Sequence, residues 1–332
     1  MSQPNAHAVH VDQPLTNISI AYLQNASKFV AGQVFPNLPV AKQSDLFYKF
    51  DRGYFNRDEA KKRAPGTEAA KGGYELDTDN YFADPWAFKH LIPDAVASNA
   101  DAVLNLERAA VELVTHKLLI RREKDWASNY FTSGTWATDY TGVASSPGTG
   151  DVVQWSDQTS GDPIGDVETA SDDMEEATGF RPNTMVVQRR VFSALKNHPD
   201  IVDRVKYSGG VGNANPAIIT AQALSAVFEI PRILVMGGIN NTAAEGDAEV
   251  SAFIGGKNAL LCYAAPTPGL MTPSAGYTFS WQGYLGQTNT FGMASTRRYR
   301  DELRSTEVEG EIAFDHKLVA SDLGVFFDGI VA

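Results

Sequence analysis

Residues 98–131 read SNADAVLNLERAAVELVTHKLLIRREKDWASNYF and contain neither proline nor glycine. Apolar side chains recur along this stretch at helical spacing, and good helix formers fill most of the other positions. Ser98 or Asn99 can cap the first turn by accepting a backbone N–H, and Asp101 suits the positive end of the helix dipole. The stretch therefore predicts one helix over 98–131, roughly 50 Å long at ~1.5 Å per residue. The rest of the chain has to be built along it.

The composition is that of a folded, globular chain. Of 332 residues, 43% are hydrophobic. No apolar run approaches the roughly 20 residues that span a bilayer. The first residues, MSQPNAHAVHVDQP, lack the basic start and apolar core of a secretory signal. The single cysteine, Cys262, excludes an internal disulfide, and its place in the run LLCY indicates a buried strand residue rather than a nucleophile.

The negative charge is concentrated in one segment. The net charge of the chain is −12. Residues 151–181 supply −8 of this charge, because the segment contains nine acidic residues and one basic residue, Arg181. The acids are Asp151, Asp157, Asp162, Asp166, Glu168, Asp172, Asp173, Glu175 and Glu176. Such a run indicates either a solvated helix face or a surface that repels a polyanion. Tight nucleic-acid binding would need a basic stripe, which the sequence lacks.

The middle and the end of the chain predict mixed structure. Asp162-Pro163 is a cap followed by a first-turn proline, and Gly179 is placed to end the helix, which predicts a helix over 163–178. Residues 303–314 alternate with period two, which predicts a strand with one apolar face. Residues 323–331 predict a last apolar strand.

Two segments near the start of the chain predict contacts with another surface. Residues 1–46 are polar and irregular, and the prolines of the run VFPNLPV exclude a helix there. We interpret them as an extended arm that docks Phe35 and Val40 elsewhere, the alternative being an ordinary frayed tail. Residues 47–90 have aromatic flanks around a polar, glycine-containing centre at 56–73, which predicts a long two-stranded excursion. A hairpin of this kind is marginal alone and becomes ordered on a neighbour, the alternative being a flexible loop.

Motifs for chemistry are absent from the sequence. There is no HExxH, no zinc spacing of Cys and His, and no G-x-S-x-G elbow. The run 253–258, FIGGKN, lacks both the leading glycine and the final Ser/Thr of a phosphate loop. We therefore expect no catalytic, cofactor-binding or metal-binding residues, and no enzyme.

The order of these segments resembles the major capsid protein of tailed bacteriophages, with the Hong-Kong-phage-type capsid fold that is also seen in encapsulins. The sequence segments that carry this resemblance most specifically are WSD at 155–157, PI at 163–164, TGFRPNT at 178–184 and LKNHPDIVDRVKY at 195–207. The resemblance implies an α+β fold with an N-arm, an E-loop, a P-domain with a long spine helix, and an A-domain. The implied boundaries are 1–46 N-arm, 47–90 E-loop, 91–182 P-domain, 183–289 A-domain, 290–322 P-domain return sheet and 323–332 C-terminal strand.

The resemblance also implies the function. Such subunits form hexamers and pentamers in an icosahedral shell around double-stranded DNA, without sequence-specific DNA binding and without a membrane. Implied partners are a separate scaffolding protein, a portal and decoration proteins, and the implied place is the virion capsid, assembled in the host cytoplasm. An encapsulin-like compartment and an oligomeric α/β enzyme remain the alternatives.

These interpretations single out two sets of residues. The candidates for inter-subunit contact are Phe35, Val40, Lys61, Lys62, Arg63 and Lys71. The candidates for a surface facing the lumen are Asp166, Asp172, Asp173, Glu175 and Glu176.

Overall fold

The structure, a computed structural model, describes residues 24–50, 53, 56–100, 105–208, 219–269, 272–282 and 293–332. The first 23 residues of the expected arm lie outside the described residues. The helices within these ranges are α1 (Ala31–Val34), α2 (Asp94–Asn99), α3 (Leu106–Tyr130), α4 (Pro163–Thr178), α5 (Arg189–Asn197), α6 (Pro199–Ser208) and α7 (Ala221–Phe228).

Fifteen strands in the described ranges lie between and after these helices. They are β1 (Asn37–Val40), β2 (Ser44–Phe50), β3 (Leu76–Phe82), β4 (Asp84–Pro93), β5 (Thr138–Val143), β6 (Asp151–Val153), β7 (Thr184–Gln188), β8 (Arg232–Met236), β9 (Ile239–Asn241), β10 (Ser251–Phe253), β11 (Ala259–Cys262), β12 (Gly276–Trp281), β13 (Met293–Arg300), β14 (Ser305–Leu318) and β15 (Gly324–Asp328). The mixture confirms the predicted α+β class.

One sheet forms the centre of the larger core. Its strand order is β6-β5-β15-β11-β7-β8, so the C-terminal strand β15 lies in the middle, parallel to β5 and antiparallel to β11. The largest apolar cluster combines side chains of this sheet with those of α4, α5 and α7, and includes Trp155, Leu195 and Phe327. The predicted last apolar strand is confirmed, and Cys262 is fully buried in β11 as expected.

A second sheet is organised around β14. This strand pairs with β4 along one side and with β13 and β12 along the other, while β1 extends the sheet beyond β12. The predicted period-two pattern is confirmed, because Val308, Ile312 and Phe314 are all buried. Ile312 and Phe314 pack with Val114 of α3. Gly310 lets the helix approach closely, since a Cβ at this position would overlap the Val114 side chain.

The long helix starts later than its sequence predicts. The prediction was one helix over 98–131, but α2 ends at Asn99 and α3 begins at Leu106. The Asn105 side chain caps α3 by accepting the Arg108 N–H at 3.0 Å, a role that the prediction gave to Ser98 or Asn99. With 25 residues, α3 is about 37 Å long rather than 50 Å.

The acidic helix forms where the sequence predicts it. Asp162 Oδ1 accepts the Gly165 N–H at 2.9 Å, and Pro163 occupies the first turn. Gly179 ends α4 with a φ of 79°, a left-handed conformation that glycine adopts without strain. Local capping signals therefore define both ends of this helix.

Candidate inter-subunit surfaces

Strands β2 and β3 form a hairpin of their own. Among the described residues they pair only with each other, in a register that sets Ser44 opposite Phe82 and Phe50 opposite Leu76. Side chains alternate between the two faces of such a sheet. The two limbs predicted from the aromatic flanks are therefore confirmed, and each face can be considered separately.

The inner face of the hairpin packs on its own subunit. Tyr81 stacks on Phe279 of β12 with ring centroids 4.4 Å apart, and Phe47 lies 5.3 Å from the same ring. Lys49 pairs with Asp79 across the strands at 2.6 Å. This face is thus satisfied at the base of the hairpin by contacts within one chain.

The outer face of the hairpin exposes four large apolar side chains to solvent. Leu46, Tyr48, Leu76 and Phe82 share this face by alternation, and they are 65%, 57%, 53% and 51% exposed. Sequence reasoning found the aromatic flanks but missed this face, because Leu46 and Leu76 were not considered. Period-two alternation along 44–50 and 76–82 was the signal that could have found it.

The tip of the hairpin, residues 56–73, is exposed throughout and carries the four predicted cationic contacts. Arg63 Nε donates to the Thr67 carbonyl at 2.5 Å, and Lys71 lies 3.4 Å from Glu68. Lys61 and Lys62 are exposed alongside them. The tip can therefore reach another molecule, and the predicted contacts of these side chains stay a prediction.

The arm lies on its own subunit over the part that the structure describes. Phe35 is fully buried, with its ring centroid 5.1 Å from Tyr130 and 6.0 Å from Trp126 of α3. The prediction that Phe35 is an inter-subunit contact is corrected, because its own chain covers the whole ring. Val40 is half-buried at the end of β1, packed against the cluster around Phe279, and its predicted contact stays a prediction.

The acidic face of α4 is only partly free. Four of the predicted acids are exposed: Asp172, Asp173, Glu175 and Glu176. Arg181 pairs with Asp172 at 3.1 Å and with Glu175 at 3.3 Å, and the Tyr140 hydroxyl donates to Asp173 at 3.3 Å. One arginine therefore offsets part of the charge, and the face remains strongly negative.

Asp166 differs from the other acids of this helix. It is half-buried, and its Oδ2 accepts the indole N–H of the fully buried Trp155 at 2.8 Å. Burial raises the pKa of the Asp166 carboxyl. Its place among the acids that face the lumen stays a prediction, and its side chain also accepts a hydrogen bond from the core residue Trp155.

Chemistry has little support in the described part of the chain. These residues hold no group of three or more His, Cys, Asp or Glu side chains that could bind a metal. Burial raises the pKa of the Cys262 thiol to about 12, so it stays protonated and unreactive. Within the same residues, no helix is long and apolar enough to cross a membrane.

A family model described as phage major capsid protein E matches residues 135–307, just over half of the chain. The chain belongs to the phage major capsid protein E family. The matched region of this capsid subunit runs from just before β5 to the start of β14, and so includes α4 and all of β7 to β13. It is a structural protein of a phage shell that is built from many copies.

Relatives and solved structures agree with this assignment. The capsid subunit is 25% identical over 328 residues to the major capsid protein of Burkholderia phage BcepMu, with 96% of each chain covered. It is 27% identical over 330 residues to that of Pseudomonas phage JBD67, with 97% of each covered. A phage-related protein from Bordetella bronchiseptica RB50 matches with a TM-score of 0.66 and 22% identity, over 96% of this chain and 97% of that one. The capsid of cyanophage P-SCSP1u gives a TM-score of 0.58 at 11% identity, over 94% and 90%, which supports the predicted capsid fold.

Proposed function

We propose that this chain assembles as hexamers and pentamers into an icosahedral shell that encloses double-stranded DNA. In this proposal the segments keep the boundaries predicted from the sequence, with the P-domain built on α3 and the A-domain on α5 to α7. Strand β4 joins the E-loop to the P-domain sheet, because it pairs with β14 from Asp84 to Pro93. A separate scaffolding protein, a portal and decoration proteins are the proposed further partners, with assembly in the host cytoplasm.

The outer face of the β2–β3 hairpin is the observation that carries the proposal. A hairpin that pairs with no other strand among the described residues, and that exposes four large apolar side chains on one face, is a surface that another chain covers. Burying the exposed half of each of its four apolar side chains contributes about 1 kcal/mol per residue. One such contact is weak. In a closed ring, however, every subunit contacts both of its neighbours through this interface, so the free energies of all the contacts stabilise the ring together.

A variant of this face tests the proposal. Leu46→Ser combined with Tyr48→Ser and Phe82→Ser removes most of the apolar area without touching Phe47 or Tyr81. The matched control is Val111→Ser, an exposed apolar residue on α3 that is 38% exposed. Electron microscopy of the expressed chain and sedimentation velocity report assembly, and circular dichroism reports folding.

We expect the unmodified chain and Val111→Ser to form shells or capsomers, while the triple variant stays folded as single subunits. Shells from the triple variant at the usual yield would show that the hairpin face is not needed. Shells filled with an enzyme instead of DNA would favour the encapsulin-like alternative.

The acidic face of α4 is proposed to line the lumen. Its four exposed carboxylates carry more charge than Arg181 offsets, so a DNA duplex is repelled and slides along the wall during entry and exit. A subunit map of the assembled shell that places Asp172, Asp173, Glu175 and Glu176 on the outer surface would contradict this proposal.

A further inference from the structure

Residues 24–40, which we call the strap, are fastened to the body of their own subunit at several points. At one end the Gln24 side-chain amide exchanges two hydrogen bonds with the Ile239 backbone, at 2.7 and 2.8 Å. At the other end β1 pairs in parallel with β12. Between these points Val30, Val34 and Phe35 are fully buried. The strap therefore has a complete docking site within one chain.

Glu123 of α3 holds the middle of the strap. Its two carboxylate oxygens accept the backbone N–H groups of Val30 and Ala31, at 2.9 and 2.8 Å, and its side chain is almost fully buried. Beside it, the Arg122 guanidinium packs so closely on Gly32 that any Cβ at this position would overlap it. The fit thus depends on one carboxylate and on the absence of one side chain.

His316 of β14 holds the end of the strap. It is buried beneath Phe35, with ring centroids 6.4 Å apart, and its Nδ1 lies 2.9 Å from the Thr278 hydroxyl. The Tyr130 hydroxyl donates to the His316 carbonyl oxygen. The imidazole Nε2 is buried and makes no hydrogen bond within the described part of the chain. Docking therefore favours the neutral imidazole, since a charged ring would be buried away from water beside the Arg122 guanidinium.

We infer that Glu123 and His316 together form an internal latch that keeps the strap on its own subunit before assembly. The strap is then unavailable to a neighbouring subunit for as long as the latch holds it. Glu123 acts as a positioning residue, because it sets where the strap crosses α3. This inference concerns the single subunit and does not depend on how copies meet.

The two groups respond to pH in opposite directions. Burial raises the pKa of Glu123 from 4.5 to about 7, so docking takes up a proton and weakens as the pH rises through this interval. Burial lowers the pKa of His316 from 6.5 to about 3, so docking releases a proton and weakens as the pH falls through that interval. Between pH 4.5 and 6.5 the two responses oppose each other, which makes the intact latch nearly indifferent to pH.

Other charged groups face the same site. Arg122 lies next to Glu123, and its charge lowers the pKa of both Glu123 and His316 while burial lowers its own. His116 of α3 packs on Phe29 of the strap at 5.8 Å, and burial lowers its pKa as well. Tyr130 stays neutral, since burial raises its pKa. His116 therefore adds to the His316 response, so its variant belongs in the test.

Hydrogen exchange of the strap amides in full-length subunits, kept too dilute to assemble and corrected for intrinsic pH dependence, tests the latch. We expect strong protection that changes little between pH 5 and 8. In Glu123→Gln the histidine response is left alone, and protection should fall by about tenfold from pH 7 to 5.5. In His316→Asn the carboxyl response remains, and protection should fall by tenfold or more from pH 5 to 7.5.

Val34→Ala is the matched control, because it loosens the strap by leaving a cavity at a fully buried apolar position and changes no charged group. The hydrogen-exchange protection of its strap amides should drop equally at every pH. When His116→Asn is added to either latch variant, the pH dependence of protection should keep the same direction as in that variant alone. Unprotected strap amides in the unmodified subunit would overturn the latch. A flat profile in both Glu123→Gln and His316→Asn, like that of Val34→Ala, would overturn the assignment to these two groups.

Discussion

The substitution Phe35→Ala tests whether Phe35 belongs to the core of its own subunit or to an interface between subunits. The ring is fully buried against Tyr130, Trp126 and His316. Removing a buried Phe side chain costs about 3–5 kcal/mol, from lost transfer free energy and from the cavity left behind. We therefore expect the free energy of unfolding of the unassembled subunit to fall by about this amount. If the free energy that docks the strap is smaller than this cost, residues 24–40 should instead detach locally while the rest of the subunit stays folded.

Urea unfolding of dilute subunits measures the loss, and tryptophan fluorescence reports it locally because Trp126 lies 6.0 Å from the Phe35 ring. The control is Val40→Ala, a half-buried position at the end of the same segment, where we expect about 1 kcal/mol or less. Suppose instead that Phe35→Ala unfolds like the unmodified subunit and fails only to assemble. Phe35 would then be a contact between copies, and the reasoning from its burial would be refuted.

Further predictions concern the core and the acidic helix. Cys262 should resist a thiol reagent in the folded subunit and react fully in denaturant, since it is fully buried and its pKa is raised to about 12; rapid labelling of native protein would contradict this. Gly179→Ala should lower the melting midpoint by the equivalent of about 1–2 kcal/mol, because its φ of 79° is strained for alanine, whereas an unchanged midpoint would show that α4 ends differently. Asp166→Ala should cost about 1–3 kcal/mol by leaving the Trp155 N–H buried without an acceptor, and a loss no larger than that of the exposed Asp172→Ala would refute the role of this hydrogen bond.

Much of the fold follows from local signals in the sequence. The bounds of α4 are encoded by Asp162-Pro163 and Gly179, which act within one turn of each helix end. The strand β14 is encoded by apolar residues at every second position, because only one face of the strand packs on α3. The limbs of the hairpin follow from their aromatic flanks. In each case the physical cause lies within a few residues of its effect.

The remaining features depend on partners far away in the chain. Asn105 inside a continuous helical pattern gives no sign that it starts a helix rather than continuing one. Glu123 lies in the charged run RREKD, which is typical of a solvated helix face, yet its partners are the backbone groups of Val30 and Ala31 more than 90 positions earlier. The sequence predicts Phe35 as an inter-subunit contact for the same reason, since no neighbouring residue indicates that its ring packs on Trp126 and Tyr130 of α3.

The central place of β15 has a consequence for synthesis. Until β15 has been synthesised, β5 and β11 lack the strand that joins them, and each presents an unpaired edge. The sheet can close only after Gly324–Asp328 have left the exit tunnel of the ribosome. We therefore expect a chain released by a stop codon ahead of Gly324 to have a divided core and to fail to fold.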